Sequence, residues 1–304
     1  MRVLVTGASG AIGAAVCDAL LARGDEVVGL TRDPDRARST TPTVRWFAWQ
    51  ASAERPPAEA LDGVDGVINL VGEEINQRWN EDVKRRISES RERATKNLVD
   101  AMVAANPKPP VLVSQAAVGY YGVDHGDMIL DEDRPAADDF LAQVVVAWEA
   151  AARQAEGSGI RVVRIRTGLV LDPKSGLLKQ LLLPFRLGVG GPLGTGRQYM
   201  PWIHMDDEVA IFLWALDNER AKGVYNAAAP TPVTNRVFSK TLGAVLRRPA
   251  VIPAPKFAVT ALRGPEVAEF ATGSLRVVPR RLQDEGFAFR FTELEPALRD
   301  LLRR

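Results

Sequence analysis

A short apolar run, Arg2-Val3-Leu4-Val5-Thr6, opens directly into Gly7-Ala8-Ser9-Gly10-Ala11-Ile12-Gly13. This glycine spacing constrains the chain more than any other feature, because glycine is demanded only where a backbone turns tightly or is approached closely. After it, Ile12, Val16, Leu20 and Leu21 recur at helical spacing and Gly24 supplies a stop. Glu26-Val27-Val28-Gly29-Leu30 then reads as a second strand, so strand, glycine turn, helix and strand fit within about 30 residues. In that setting Gly7 serves the tight turn, Gly10 lets the backbone approach a pyrophosphate, and Gly13 allows the helix to pack closely on the strand. Free N–H groups and the positive end of the helix would face the phosphates, which makes Gly7, Ser9, Gly10, Ala11, Ile12 and Gly13 the phosphate-side candidates.

The end of the second strand discriminates between the two nicotinamide dinucleotides. An acidic residue there accepts hydrogen bonds from the ribose 2′-hydroxyl, whereas an arginine accommodates a 2′-phosphate. The strand runs into Thr31-Arg32, with Asp33 one position later, and this order points to NADP(H) with Thr31 and Arg32 as contacts. A third strand over 44–49 places Gln50 near the adenine. A fourth over 65–72 ends in Leu70-Val71-Gly72, where small backbone can pass the cofactor. Long helices over 81–105 and 138–156 alternate with strands at 111–114 and 160–166. That rhythm predicts a Rossmann-type α/β fold, a doubly wound parallel sheet with its ligand at the carboxyl ends of the strands. Residues 1–170 form the expected NADP-binding domain. Residues 171–304 form mainly a smaller carboxyl-terminal substrate lobe, with some segments returning to the core.

In that second part glycine and proline cluster between Pro184 and Gln198, which predicts a loop. Arg197, Gln198, Tyr199 and Trp202 follow closely, with His204 two positions beyond; convergent polar groups with aromatic walls suit a small-molecule pocket. Asp206 is expected to cap the next helix. The rest of the composition excludes much. Lys+Arg 39 against Asp+Glu 38 offers no basic stripe for nucleic acid. One cysteine, Cys17, rules out an internal disulfide and reads as a core thiol; with two histidines, no metal site is expected. Apolar runs are too short to span a bilayer, and glycines interrupt the position where a secretory signal would carry its apolar stretch. The expectation is a cytoplasmic monomer or homodimer that binds a small molecule, with neither nucleic acid nor membrane as partner.

Several segments together resemble the extended short-chain dehydrogenase/reductase, or nucleotide-sugar epimerase-like, superfamily, and within it the atypical NAD(P)-dependent epimerase/dehydratase-like subgroup of uncertain function. They are T-G-A-S-G-A-I-G at 6–13, N-L-V-G-E-E-I at 69–75, I-S-E-S-R at 87–91, A-V-G-Y-Y-G at 117–122, R-T-G-L-V-L at 166–171 and G-G-P-L-G-T-G-R-Q-Y-M-P-W-I-H-M-D-D at 190–207. The resemblance implies a Rossmann core with NADP(H), adds Arg91 to the cofactor side, and implies a lobe closing over a substrate. It also implies a tyrosine acidified by a lysine four residues later, with a helping serine. Here the sequence departs from the pattern. Tyr120, Tyr121, Tyr199 and Tyr225 are followed four residues on by Asp124, His125, Ile203 and Ala229. The helix that should carry the pair reads Leu141-Ala142-Gln143-Val144-Val145-Val146-Ala147-Trp148, and the serine position is Ala116. Tyr121, Glu73 and His204 are the remaining candidates for proton transfer. Three readings stay open: an NADP(H)-dependent oxidoreductase or epimerase-like enzyme on a carbonyl or sugar-like substrate, a non-catalytic NADPH sensor or scaffold, and a non-redox cyclase, dehydratase or isomerase.

Overall fold

The computed structural model describes residues 1–303, excluding the side chains of 258, 262 and 263; Arg304, in the expected carboxyl-terminal lobe, lies outside the described residues. The amino-terminal part runs β1 (Arg2–Thr6), α1 (Ala11–Ala22), β2 (Glu26–Thr31), α2 (Pro34–Thr40), β3 (Arg45–Ala48), β4 (Gly66–Asn69), α3 (Glu81–Ala104), β5 (Val111–Ala117), β6 (Ile129–Leu130), α4 (Phe140–Arg153) and β7 (Arg161–Thr167). Then come β8 (Leu169–Leu171), α5 (Gly176–Arg186), β9 (Tyr199–Met200), β10 (Trp202–His204), α6 (Met205–Asp217), β11 (Gly223–Ala227), β12 (Val233–Thr234) and α7 (Asn235–Leu246). The chain closes with α8 (Lys256–Arg263), α9 (Pro265–Thr272), β13 (Arg276–Val277), α10 (Arg280–Asp284) and α11 (Leu294–Leu301).

Seven parallel strands form the central sheet in the order β11-β7-β5-β4-β1-β2-β3. From β1 the chain winds outward to β3, then returns to β4 and winds the other way, which opens a crevice at the carboxyl ends of β1 and β4. Both faces are covered, so the strands are largely apolar, with Ser114 of β5 and Arg166 of β7 as buried polar interruptions. Val3, Val5, Ile68, Val113 and Val163 pack under α1 and α6, while Leu4, Val67, Leu112 and Val162 pack against Leu98 and Met102 of α3. The second half of the chain contributes β11 and α6 to this core, and a separate cluster around Leu178, Phe185, Trp202, Phe238 and Leu298 builds the lobe. Among the described residues no helix is long and apolar enough to cross a membrane.

Two local expectations are corrected. The stretch from Pro184 begins as the last turn of α5 rather than as loop. Proline is tolerated there because it removes one amide bond, while Leu183 O and Pro184 O still accept the amides of Leu187 and Val189. The cap of α6 is His204, whose Nδ1 accepts the Asp206 N–H at 3.0 Å, not Asp206 itself. Asp207 is 1% exposed and its carboxylate accepts the N–H groups of Arg290 (2.7 Å) and Phe291 (2.9 Å), pinning the carboxyl-terminal segment to α6. Asp207→Ala orphans two amides that bond to a carboxylate; urea unfolding should show a loss of about 2–4 kcal/mol, with the slope of the transition unchanged.

Candidate functional site

Gly7 has φ +62°, and a Cβ there would lie 2.6 Å from Leu70 O; at Gly13 a Cβ would lie 2.2 Å from Gly7 O. The turn after β1 therefore touches the end of β4 on one side and the first turn of α1 on the other, with no room for a methyl group. Gly10 caps α1 without a side chain, and no acidic residue stands in its first turn. The amides of Ala11, Ile12 and Gly13 have no hydrogen-bond partner among the described residues, and Ser9, Gly10 and Ala11 are exposed. A helix start with its positive end bare beside a strand switch suits a phosphate.

At the end of β2 the two charged neighbours separate. The Asp33 carboxylate caps α2 by accepting the Arg36 N–H at 3.0 Å, and Thr31 Oγ1 accepts the Asp33 N–H at 3.3 Å. Arg32 is exposed and forms no ion pair or hydrogen bond with any described residue. Gln50 is exposed just beyond β3. Leu70 and Val71 are half-buried at the end of β4, and Gly72 is exposed. These positions follow four adjacent strand ends, so the topology brings them to one edge of the sheet.

The loop after β4 is clamped from α3. Ser90 Oγ accepts the Glu73 N–H, and Arg91 donates to the Glu73 carbonyl, both at 2.9 Å. The Arg91 guanidinium stacks 5.2 Å from the Trp148 ring centroid and lies 3.1 Å from where a Gly72 Cβ would be. Burial pulls it down to about 10, the nearby Glu73 charge opposing. The Glu73 side chain is 33% exposed, accepts from Gln77 Nε2 at 3.2 Å and pairs with Arg86 at 3.7 Å.

The other two expected acids lie deeper. Tyr121 is 1% exposed; its hydroxyl donates to Asn226 Oδ1 (2.8 Å) and accepts from Arg166 (3.1 Å). Burial pushes the phenol up to about 12 despite the guanidinium, whose charge Glu149 already balances through bonds of 2.7 and 3.2 Å. On α4 the two positions one and two turns before Glu149, Val145 and Leu141, are buried and apolar. His204 is buried, stacked on Phe291 at 3.9 Å, and held below the ordinary imidazole range by burial. Its Nε2 is 3.4 Å from Asp300 Oδ2, too poorly aligned for a hydrogen bond. His204, Asp206 and Asp300 converge as metal ligands could, but Arg290 already bridges the two aspartates at 2.6 and 3.5 Å.

In the lobe, Gln198 and Trp202 are buried and spend their N–H groups on the carbonyls of Leu193 (3.0 Å) and Thr231 (3.3 Å). Arg197 is exposed and Tyr199 half-buried under the Arg276 guanidinium, 5.0 Å from the ring centroid. Sequence reasoning passed over Gln115, Thr167 and Glu208. Thr167 Oγ1 donates to Glu208 Oε1 at 2.6 Å and accepts from Gln115 Nε2 at 3.4 Å. Glu208 is fully buried, and burial raises its carboxyl to about 8. Three acids in a row on a first helical turn look like dipole compensation; no linear pattern marks the third as turned inward.

Residues 3–228 match the NAD dependent epimerase/dehydratase family, and residues 254–301 a domain of unknown function, DUF1731. The human epimerase family protein SDR39U1 is 39% identical over 306 residues, 99% of this chain and all of that protein. Its crystal structure with NADPH aligns over the full length of both chains with a TM-score of 0.90. An Arabidopsis thaliana homologue of SDR39U1, named as chloroplastic, is 38% identical over 304 residues, 99% of this chain and 87% of that protein. A nucleoside-diphosphate sugar epimerase from Corynebacterium glutamicum is 33% identical with a TM-score of 0.81, over 99% of this chain and 58% of that one. The chain belongs to the NAD dependent epimerase/dehydratase family.

Because folded Glu208 keeps its proton to about pH 8 while an ordinary glutamate releases it near 4.5, the native state loses stability as pH rises through that window. Glu208→Gln should abolish this dependence. Unfolding free energies of wild type and variant, measured from pH 5 to 8, should diverge by about 1.4 kcal/mol per pH unit in the variant's favour.

Proposed function

We propose that this chain is an NADP(H)-binding, epimerase-like oxidoreductase that acts on a small carbonyl or sugar-like molecule. Residues 1–170 are the nucleotide-binding unit and 171–304 mainly the substrate lobe in this reading. The observation that carries it is the division of labour after β2. Asp33 is committed to capping α2, so it does not compete for a ribose, and Arg32 is left with an unpaired guanidinium at the adenine end of the crevice. The bare amides at the start of α1 fit a pyrophosphate, and the NADPH in the human relative's structure supports the same choice.

The nicotinamide, when bound, supplies or accepts hydride. The chain's own residues orient it: Gly7 and Gly13 keep the turn low against β4, and Ser90 with Arg91 holds the loop at Glu73. Of the three proton-transfer candidates, we assign the role to Glu73, which is solvent-reached at the carboxyl end of β4. Tyr121 serves as a neutral wall between core and lobe, and His204 as the cap of α6. Arg197 and Tyr199 are the lobe residues free to meet a substrate, with Gln198 and Trp202 shaping the loop behind them. The proposal includes a monomer or homodimer acting in the cytoplasm.

A second reading, a sensor that binds NADPH without turning it over, draws support from the apolar face of α4 and the buried hydroxyl of Tyr121. Calorimetry and turnover assays separate the possibilities. Arg32→Ala should weaken NADPH about 10- to 100-fold and leave NADH nearly unchanged, the range expected for one charge-assisted contact. Equal weakening of both removes the 2′-phosphate assignment. Oxidation of bound NADPH by any member of a panel of aldehydes, ketones and nucleotide sugars excludes the sensor.

A further inference from the structure

The pairing of β5 is asymmetric. On one side β4 accompanies it only as far as Asn69 beside Ser114; on the other, β7 continues to Thr167 beside Ala117. Gln115, Ala116 and Ala117 therefore stand past the last β4 pairing, on the strand next to the crevice and on the side of β1 away from Arg32. A dinucleotide with its adenine ribose at Arg32 and its pyrophosphate at α1 carries its nicotinamide toward this strand end.

Gln115 is the half-exposed polar side chain of these three residues. It is not loose. Its Nε2 donates to Thr167 Oγ1, and the Thr167 hydroxyl, itself buried, donates to Glu208 Oε1. Glu208 reaches this point from the first turn of α6 and is completely enclosed, and its Oε2 has no hydrogen-bond partner. A carboxyl oxygen in that state costs about 1–3 kcal/mol that an apolar residue would spare, so core packing does not account for a glutamate here. Its charged sequence neighbours are turned elsewhere, Asp206 to Arg290 and Asp207 to the amides of Arg290 and Phe291. Thr167 from β7, with Gln115 of β5 behind it, is the polar group it meets, and desolvation keeps it protonated.

We propose that Gln115 is a substrate-orienting residue at the nicotinamide end of the crevice and that Glu208 positions it through the Thr167 hydroxyl. With one N–H committed to Thr167, the Gln115 amide keeps its carbonyl and its second N–H for the ligand. That pair of groups suits a hydroxyl beside a carbonyl, which is the substrate class of the functional reading above, on which this assignment rests. Glu208 does not touch the substrate: it keeps the Thr167 proton directed away from Gln115, so that Thr167 can only accept from it. An ionised Glu208 would bind the same proton more strongly, and because the bonds of such a chain polarise one another, the environment of the Gln115 amide would change with it.

The test follows the side-chain amide of Gln115 by nuclear magnetic resonance in full-length protein labelled with 15N-glutamine, the signal being assigned by its loss in Q115M. In wild type the pair should shift with a single midpoint at about pH 8, and E208Q should hold it near the wild-type low-pH position with no titration. T167V should displace the pair and abolish its pH response. Saturating NADPH should move the Gln115 pair more than that of exposed Gln283 on α10. A pair that does not titrate between about pH 6.5 and 9.5, or that still titrates in E208Q, overturns the link to Glu208. NADPH binding that leaves the Gln115 pair in place overturns its position at the crevice. If NADPH does not bind, the cofactor reading falls, and the titration still decides whether Glu208 controls Gln115.

Discussion

Close backbone approach at the first turn is the constraint on which the rest of this structure depends. Gly7 sits against the carbonyl of Leu70, and Gly13 sits against the carbonyl of Gly7, each with less space than a methyl group needs. Three elements are thereby drawn to contact distance at the point where the chain reverses its winding. The floor of the crevice is peptide backbone and not side chains, and α1 points its unpaired amides across it.

Around that floor the polar residues buried at the strand ends act as joints. Asn69 accepts from Thr6 Oγ1 and donates to Thr95 and Ser114, which ties β1, β4, β5 and α3 together at the level of the crevice. Farther out, Glu149, Arg166, Tyr121 and Asn226 form a chain from α4 through β7 to β11, and Glu132 continues it to the start of α10. The chain runs beside a buried apolar cluster of Val118, Leu130, Ala228, Leu275 and Val277, where an unpaired partner at any link is expensive. Tyr121 belongs to this chain, which gives a buried phenol a physical use without ionisation.

The sequence made the glycine turn and the end of β2 legible because their requirements are local. Glycine positions, a bare helix cap and the order Thr31-Arg32-Asp33 each act within a few residues of chain. The segment after α5 was less legible. Gln198 and Trp202 stand in a segment rich in polar and aromatic residues, yet both turn inward to bond lobe carbonyls. His204, read as a candidate acid, caps the helix that Asp206 was expected to cap. Glu208 could not be singled out among three consecutive acids, because which of them faces the sheet depends on how α6 is rotated against β7.

Short-range backbone demands and apolar strands alternating with helices were enough, from the amino-acid order alone, to determine the doubly wound sheet and its glycine turn, and to place an arginine directly after β2. Only the tertiary structure decided which polar side chains meet one another at and beneath the strand ends. Residues 41 to 105 positions apart, such as Thr167 and Glu208, Gln115 and Thr167, or Tyr121 and Asn226, become neighbours through strand order and helix rotation. Those are set by the packing of whole faces, and no local pattern encodes them.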